Sequence, residues 1–294
     1  MRSGLVTVVG RPNVGKSSLV NALVGRKVSI VSHKPQTTRH RIQGVVNRAE
    51  GQLVFVDTPG LHLRATRRLN TMMNDAAAGA LADVDVVLFV IEAGRWTEED
   101  EAVLTRLSTL PMPVGLVVNK VDRITDKARL LPLLAEAAAR HPFAFVVPLS
   151  AMKRQNLQPL VDELMSRMPE GPALYPEDQV VGYDDAFGLA ELIREKLVRN
   201  LHQELPYATT VAIESFEQEG RLDRVHAVIW VEREGQKGIV VGEKGEQLRK
   251  IGEAARREWE RQQGRKLYLK LWCKVRENWS DDLRALRQFG ISGE

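Results

Sequence analysis

Near the start of the chain, Gly10-Arg11-Pro12-Asn13-Val14-Gly15-Lys16-Ser17 fits the pattern G-x-x-x-x-G-K-S/T. It lies between a β-rich run, Leu5–Gly10, and a helical pattern, Ser17–Val24. Such a loop turns main-chain N–H groups and a helix N-terminus toward a phosphate chain. Lys16 is placed to neutralise the β- and γ-phosphates, and the Ser17 hydroxyl is placed to ligate Mg²⁺. Further β-rich runs follow at Ile42–Arg48, Leu53–Asp57, Val86–Glu92, Val114–Asn119 and Phe143–Leu149. Helical patterns separate them at Arg67–Ala82, Glu98–Leu107, Thr125–Ala139 and Leu157–Met168. Val86–Ile91 and Val114–Val118 are continuously apolar, as strands covered on both faces are. The expectation is an α/β domain over residues 1–170, with a mostly parallel six-stranded sheet, helices on both faces, and ligands at the carboxyl ends of the strands.

The base is decided at Asn119-Lys120-Val121-Asp122, which ends a predicted strand. An Asp122 carboxylate can accept from both N1–H and the exocyclic amine of guanine. Adenine offers no such donor pair, and a buried acceptor left unpaired rejects it. Asp57-Thr58-Pro59-Gly60 ends another strand. Asp57 is placed to reach Mg²⁺ through water, and Gly60 can offer its N–H to the γ-phosphate. Lys34-Pro35-Gln36-Thr37-Thr38-Arg39 is a polar loop between the two motifs, and Thr38 is the candidate to complete the Mg²⁺ shell.

The water-orienting group is missing from its usual place. Ras-like switches carry glutamine after D-x-x-G; here that residue is Leu61, which has no hydrogen-bonding group. Arg39 is a candidate to compensate charge in the transition state. Asn13 is the alternative, since its side-chain oxygen can help hold a monovalent cation, K⁺, against the phosphates. The plainer reading is that Asn13 only hydrogen-bonds its own loop.

After Pro169-Glu170-Gly171-Pro172 and Pro176 the pattern changes. Residues 171–182 read as a linker, and 183–294 as a second domain. Ala186–Leu201 reads as helix, Thr209–Glu217 and Val225–Arg233 as strands, Gly245–Gln262 as helix and Lys266–Val275 as strand: an α+β module. Global charge does not make it a nucleic-acid binder. Residues 1–170 sum to +6 and 171–294 to −2, yet Lys237 to Arg276 holds 12 basic against 5 acidic residues. Within that stretch, Gly242-Glu243-Lys244-Gly245 forms a G-x-x-G at the mouth of a helix. Apolar Ile239–Val241 precede it, and basic Lys244, Arg249 and Lys250 accompany it. This loop, in this element order, suits a KH fold, whose GXXG clamps four nucleotides of single strand. Trp259, Trp272 and Trp279 could stack on bases, with burial the expected role for at least the first two.

Taken in order, GRPNVGKS, PQTTRHRI, DTPGL, NKVD, PLSAM, the G-x-x-G and the closing LWCKVR…WSDD resemble the translation-factor-like GTPases, in particular the bacterial Era family, over the whole chain. The resemblance implies a GTPase domain followed by a smaller type II KH domain. It implies GTP or GDP contacts at Gly10, Arg11, Pro12, Asn13, Val14, Gly15, Lys16, Ser17 and Ser18, at Asp57, Thr58, Pro59, Gly60 and Leu61, and at Asn119, Lys120 and Asp122. Ser150 and Ala151 would form the last motif, with a backbone contact to guanine O6. It implies RNA contacts at Ile239, Val241, Gly242, Glu243, Lys244, Gly245, Arg249 and Lys250. Lys16, Thr38, Gly60 and Asn13 would carry hydrolysis. The RNA implied is the 3′ end of 16S ribosomal RNA, and the process is maturation of the 30S subunit. Asn13 with a hydrophobic residue after DTPG resembles the potassium-activated group.

Two other classes compete. A metabolic P-loop kinase would need an acceptor pocket and a lid, and NKVD without a lid insertion argues against it. An RNA- or membrane-docking module using nucleotide structurally would show no turnover. The longest apolar run, Val86–Ile91, is too short to cross a bilayer. The opening residues read as no signal peptide, and the single Cys273 permits no internal disulfide. These features lead to the expectation of a soluble, cytoplasmic monomer, at most peripheral on the cytoplasmic face of the inner membrane.

Overall fold

The structure is a computed structural model that describes residues 1–32, 34, 37–59, 68–81, 84–201 and 205–291. The chain divides into two compact units, one reaching Gly182 and the next starting at Tyr183.

In the first unit, β1 (Arg2–Val9), β2 (Ile42–Asn47), β3 (Gly51–Asp57), β4 (Val86–Glu92), β5 (Val114–Asn119) and β6 (Phe145–Pro148) form one sheet in the order β2-β3-β1-β4-β5-β6. Neighbours run parallel except β2, which is antiparallel to β3. The helices are α1 (Lys16–Val24), α2 (Arg68–Gly79), α3 (Glu98–Leu107), α4 (Leu130–Ala138) and α5 (Leu157–Arg167). The continuously apolar strands are covered on both faces. Val87, Phe89 and Ile91 of β4 pack with Val103, Leu104 and Leu107 of α3. Val86, Leu88 and Val90, which point the other way, are equally buried. Register places the ends of β1, β3, β4 and β5 on one edge: Val8 pairs with Asp57, Val9 with Phe89, and Glu92 with Asn119.

Two stretches differ from the pattern reading. The predicted helix Thr125–Ala139 is a 3-10 turn, Lys127–Arg129, followed by α4. Pro132 falls in the first turn of α4, where its missing N–H costs nothing. Residues 171–182 do not hang free. Val45 N–H donates to Val180 O at 2.9 Å and Gly182 N–H to Gln43 O at 3.0 Å. The buried Gln52 side chain accepts from Leu174 and Tyr175 N–H, both at 2.9 Å. A proline-punctuated stretch has no periodicity to announce such pairing.

In the second unit, β7 (Thr209–Glu219), β8 (Leu222–Val231) and β9 (Lys266–Val275) form a sheet in that order. β7 and β8 are antiparallel, and β8 and β9 parallel. α6 (Asp185–Asn200), α7 (Glu234–Val241) and α8 (Glu246–Gln263) precede or separate the strands, and a short α9 (Leu283–Gln288) follows. Leu189, Ile193 and Leu197 of α6, Val240 of α7 and Ile251, Ala255 and Trp259 of α8 bury against Val225, Ala227, Ile229, Val231 and Leu267. Trp259 Nε1–H donates to buried Asp223 at 2.8 Å, and Arg265 pairs with the same carboxylate at 3.0 Å. The order is thus α-β-β-α-α-β-α, two helices, α7 and α9, more than the pattern reading. α7 carries Gly235 and Gly238 and ends in three β-branched residues, a composition that hides a helix.

One expectation about the tryptophans is overturned. Trp259 and Trp279 are buried, but Trp272 is 41% exposed. Strand alternation sends Leu271 and Cys273 toward the helices and Trp272 to the opposite face.

Candidate functional site

The phosphate loop joins β1 to α1. Gly10, Asn13 and Gly15 take positive φ, at 148°, 65° and 104°. A Cβ on Gly15 would lie 2.4 Å from Asn119 Nδ2, so only glycine fits between the loop and NKVD. α1 begins with no side-chain cap and no acid in its first turn. Its first N–H groups are therefore available to an anion. Lys16 is buried and donates to Gly10 O at 2.8 Å and Arg11 O at 3.0 Å. Burial lowers its pKa from 10.5 to about 8, against the pull of Asp57. A cavity of about 70 Å³ lies between this loop and the segment ending at Thr38, with Ser18 among its lining residues.

Three oxygens meet beside Lys16. Ser17 Oγ lies 3.0 Å from Thr38 Oγ1, and Thr38 Oγ1–H donates to Asp57 Oδ2 at 3.4 Å. Burial raises the Asp57 pKa, opposed by hydrogen bonding from Ser17 and the charge of Lys16. Asp57 Oδ1 is buried with no hydrogen-bond partner among the described residues. A buried carboxylate oxygen with nothing to accept, beside two hydroxyls, suits a hard divalent cation. The residues present therefore fit Mg²⁺, with Ser17, Thr38 and Asp57 as its holders. Thr58 anchors the strand end by donating to Val8 O at 3.1 Å, and Pro59 is buried. Gly60 and Leu61 lie outside the described residues.

Asn119 ties three motifs together. Its Nδ2 donates to Val14 O at 2.9 Å, and its Oδ1 accepts from Lys120 N–H at 2.8 Å and Ala151 N–H at 3.0 Å. The Ala151 amide expected at guanine O6 is thus held by Asn119. Ser150 is buried, and its Oγ accepts from Lys153 N–H at 3.1 Å. Lys120 Nζ donates to Asn13 O at 2.7 Å. Asp122 is half-buried and makes no hydrogen bond to any described residue, which leaves both carboxylate oxygens for a ligand. Arg39 is buried, so it is not a solvent-facing finger. The Asn13 side chain is exposed and makes no hydrogen bond to the described residues.

Sequence reasoning missed the brace under this loop. Arg11 is buried; its Nε donates to fully buried Asp100 at 3.0 Å, and its NH2 group lies 3.5 Å from Glu92. Asp100 also closes the capping box with Thr97 at the start of α3. Glu92, at the end of β4, pairs with Lys120 and Arg123, both at 2.9 Å. Partial burial works against the Glu92 charge. The Lys120 hydrogen bond and the flanking cations outweigh it and hold the carboxyl below its ordinary range. A signal existed, since T-x-x-D is a capping pattern, but nothing in it points back to Arg11.

In the second unit, α7 ends at Gly242 (φ 73°), Lys244 sits in the left-handed region (φ 48°), and α8 starts after Gly245 (φ 78°). A Cβ on Gly242 would meet Gln247 Cβ at 2.7 Å, whereas one on Gly245 would meet nothing within 4 Å. Ile239 is 56% exposed, Val240 is buried in the core, and Val241 is half-buried. Glu243, Lys244, Arg249 and Lys250 are exposed, and Lys250 pairs with Glu246 at 2.9 Å. A cavity of about 590 Å³ opens beside the loop, lined in part by Leu201, Ile239, Gly242, Gln247 and Lys250. The predicted RNA residues therefore cluster about one loop with a local basic surplus.

Comparison with known proteins bears on both units. A family described as 50S ribosome-binding GTPase matches residues 5–120, and one described as KH domain matches 204–280. GTPase Era of Xanthomonas oryzae pv. oryzae is 55% identical over 98% of this chain and 97% of its own. GTPase Era of Stenotrophomonas maltophilia is 54% identical over 98% and 96%. Among solved structures, a point variant of Aquifex aeolicus Era bound to GDP·AlF₄⁻ superposes with a TM-score of 0.95 at 38% identity, covering 99% of this chain and 100% of that one. Era in complex with MgGDPNP and nucleotides 1506–1542 of 16S ribosomal RNA gives 0.95 and 38%, covering 99% of each.

Proposed function

The chain belongs to the Era family of GTPases, and from that footing we propose that it is a nucleotide switch gripping the 3′ end of 16S ribosomal RNA during 30S subunit maturation. GTP hydrolysis to GDP and phosphate is the family's reaction. The observation that carries the reading is the joint placement of three motifs through Asn119, with the Asp122 acceptor open.

In the bound state, Asp122 accepts from guanine N1–H and the exocyclic amine. Loop amides and Lys16 take the phosphates, and the protonated Lys16 trades its two carbonyl partners for phosphate oxygens. Ser17, Thr38 and Asp57 would hold Mg²⁺, which would neutralise phosphate charge when bound with the nucleotide. Thr38 is the residue whose position reports the γ-phosphate. Leu61 cannot orient a water, and Arg39 is buried. We therefore assign transition-state charge compensation to a K⁺ ion held with help from the unengaged Asn13 side chain. The G-x-x-G loop with Lys244, Arg249 and Lys250 takes the RNA backbone.

We place the chain in the cytoplasm as a monomer whose membrane contact, if present, is peripheral. Among the described residues no helix is long and apolar enough to cross a membrane. The test is to ultraviolet-crosslink the full chain in cells, recover it with a non-hydrolysable GTP analogue, and sequence the attached RNA. Enrichment of the 16S 3′ end is expected. Enrichment of another RNA, or of none, contradicts the reading.

A further inference from the structure

We propose that the exposed part of the outer face of the β7–β9 sheet, beside the part where Trp230 packs against Phe289, is a second single-stranded RNA contact, with Tyr268 and Trp272 as base-stacking platforms and Lys270 between them as a phosphate ligand. It rests on the reading that this unit binds RNA. Along β9, Leu267, Leu269, Leu271, Cys273 and Val275 join the core. The alternate residues Lys266, Tyr268, Lys270, Trp272 and Lys274 fall on the other face. Tyr268 is 44% exposed and Trp272 41% exposed, among the largest apolar side chains left open on the chain. They stand four residues apart, about 13 Å along the strand, too far to cover each other. Each is braced in place. The Trp272 ring meets His226 edge-to-face at 5.4 Å, and Arg224 and Lys270 lie 5.7 and 5.9 Å from the Tyr268 ring centre.

Charge selects the occupant. β9 carries three lysines and no acid. Lys270 makes no ion pair among the described residues, and Lys266 is only loosely held, 3.9 Å from Glu260. Toward β7 the charges are balanced, Glu214 pairing with Lys274 and Glu219 with Arg224, both at 2.8 Å, which leaves the basic surplus at Lys266 and Lys270 on the β9 side. The outer edge of β9 pairs with no other described strand. α8, which follows the G-x-x-G loop, packs on the opposite face of β9, with Gly252 next to Leu271, so a strand leaving the loop reaches Trp272 around this free edge. A protein partner is disfavoured because lysine is depleted from protein interface cores and here divides the aromatic patch. Aromatic rings interleaved with lysines suit a strand of nucleic acid, since every base has a stackable face. The G-x-x-G loop takes only about four nucleotides, so a longer strand needs a further surface.

The test measures affinity of the full chain, loaded with a GTP analogue, for an RNA of 16S nucleotides 1506–1542. Trp272→Ala should weaken binding about tenfold, and adding Tyr268→Ala should weaken it further. Trp272→Phe, which keeps a stacking ring, should stay within about threefold of the parent, and turnover without RNA should be unchanged in all three. Indole fluorescence should be quenched by RNA in the parent, with less quenching in Trp272→Phe. Trp272→Ala at parental affinity, while Lys244→Asp loses RNA, overturns this inference alone. RNA affinity kept but association with small-subunit particles lost would make the face a protein-docking surface and also overturn it. A parent that binds no RNA overturns this inference and the functional reading together.

Discussion

The phosphate loop and the G-x-x-G loop both turn on positive-φ glycines, yet one is locked and the other open. Gly15 is wedged against Asn119, and Lys16, Arg11 and Asp100 are buried beneath or beside it. A Cβ on Gly245 would meet nothing within 4 Å, and Lys244 stands exposed. A locked loop suits a small ligand of fixed charge, because preorganised donors need no rearrangement when it arrives. An open loop suits a polymer that enters from the side and brings its own conformational freedom. The difference also predicts which kind of substitution each tolerates.

The largest effect is expected where the locked site reads its ligand. Asp122→Asn should weaken GTP at least about a thousandfold and favour xanthosine triphosphate, which carries a carbonyl where guanine has its amine. Unchanged GTP affinity in a nucleotide titration would remove the base assignment. At the open loop the glycines should be left alone, since a side chain on Gly242 would collide with Gln247. Lys244→Asp keeps the left-handed turn, which Asp tolerates. It should cut RNA affinity about tenfold to a hundredfold and flatten its salt dependence, with turnover without RNA intact. Equal affinity and equal salt slope would mean the loop does not meet phosphate.

The third effect is a pH dependence confined to the locked site. Phosphate binding needs charged Lys16, whose pKa in the free protein is about 8. GTP affinity should therefore fall about tenfold between pH 7 and pH 9 as the free protein loses that proton. Stability of the nucleotide-free protein runs the other way. The folded state binds fewer protons than the unfolded one between about 8 and 10.5, so this group favours folding more as pH rises through that window. A flat affinity across pH 7 to 9 would show that Lys16 stays charged when buried. The smallest effect concerns the exposed Asn13. Turnover in K⁺ should exceed that in Na⁺ severalfold at equal ionic strength, and Asn13→Ala should erase the difference. Equal parental rates in the two salts would remove the cation from the mechanism.

These contrasts also mark what the sequence could and could not disclose. The setting of the locked site was legible because its pattern is local: eight residues in a row spell a phosphate-binding motif, and their strand-turn-helix setting follows from periodicity. Its brace was not. Asp100 sits in Glu98-Glu99-Asp100-Glu101, which reads as a solvated helix start, and its partner Arg11 is 89 positions away. The strands were legible from apolar runs, including the antiparallel edge strand. α7 was not, since glycines and β-branched residues argue against the helix that packing of Val240 enforces. Trp272 was misjudged because tryptophan is usually buried, while strand alternation places this one outward.

As the proposed switch, the chain should let nucleotide state in the locked site govern RNA grip at the open one. This is tested by the affinity of the full chain for RNA of 16S nucleotides 1506–1542, measured with GDP and with a non-hydrolysable GTP analogue. At least about tenfold tighter binding with the GTP analogue is expected, a coupling of roughly 1.4 kcal/mol. Equal affinity in the two states would mean that the two sites share a chain without sharing a switch.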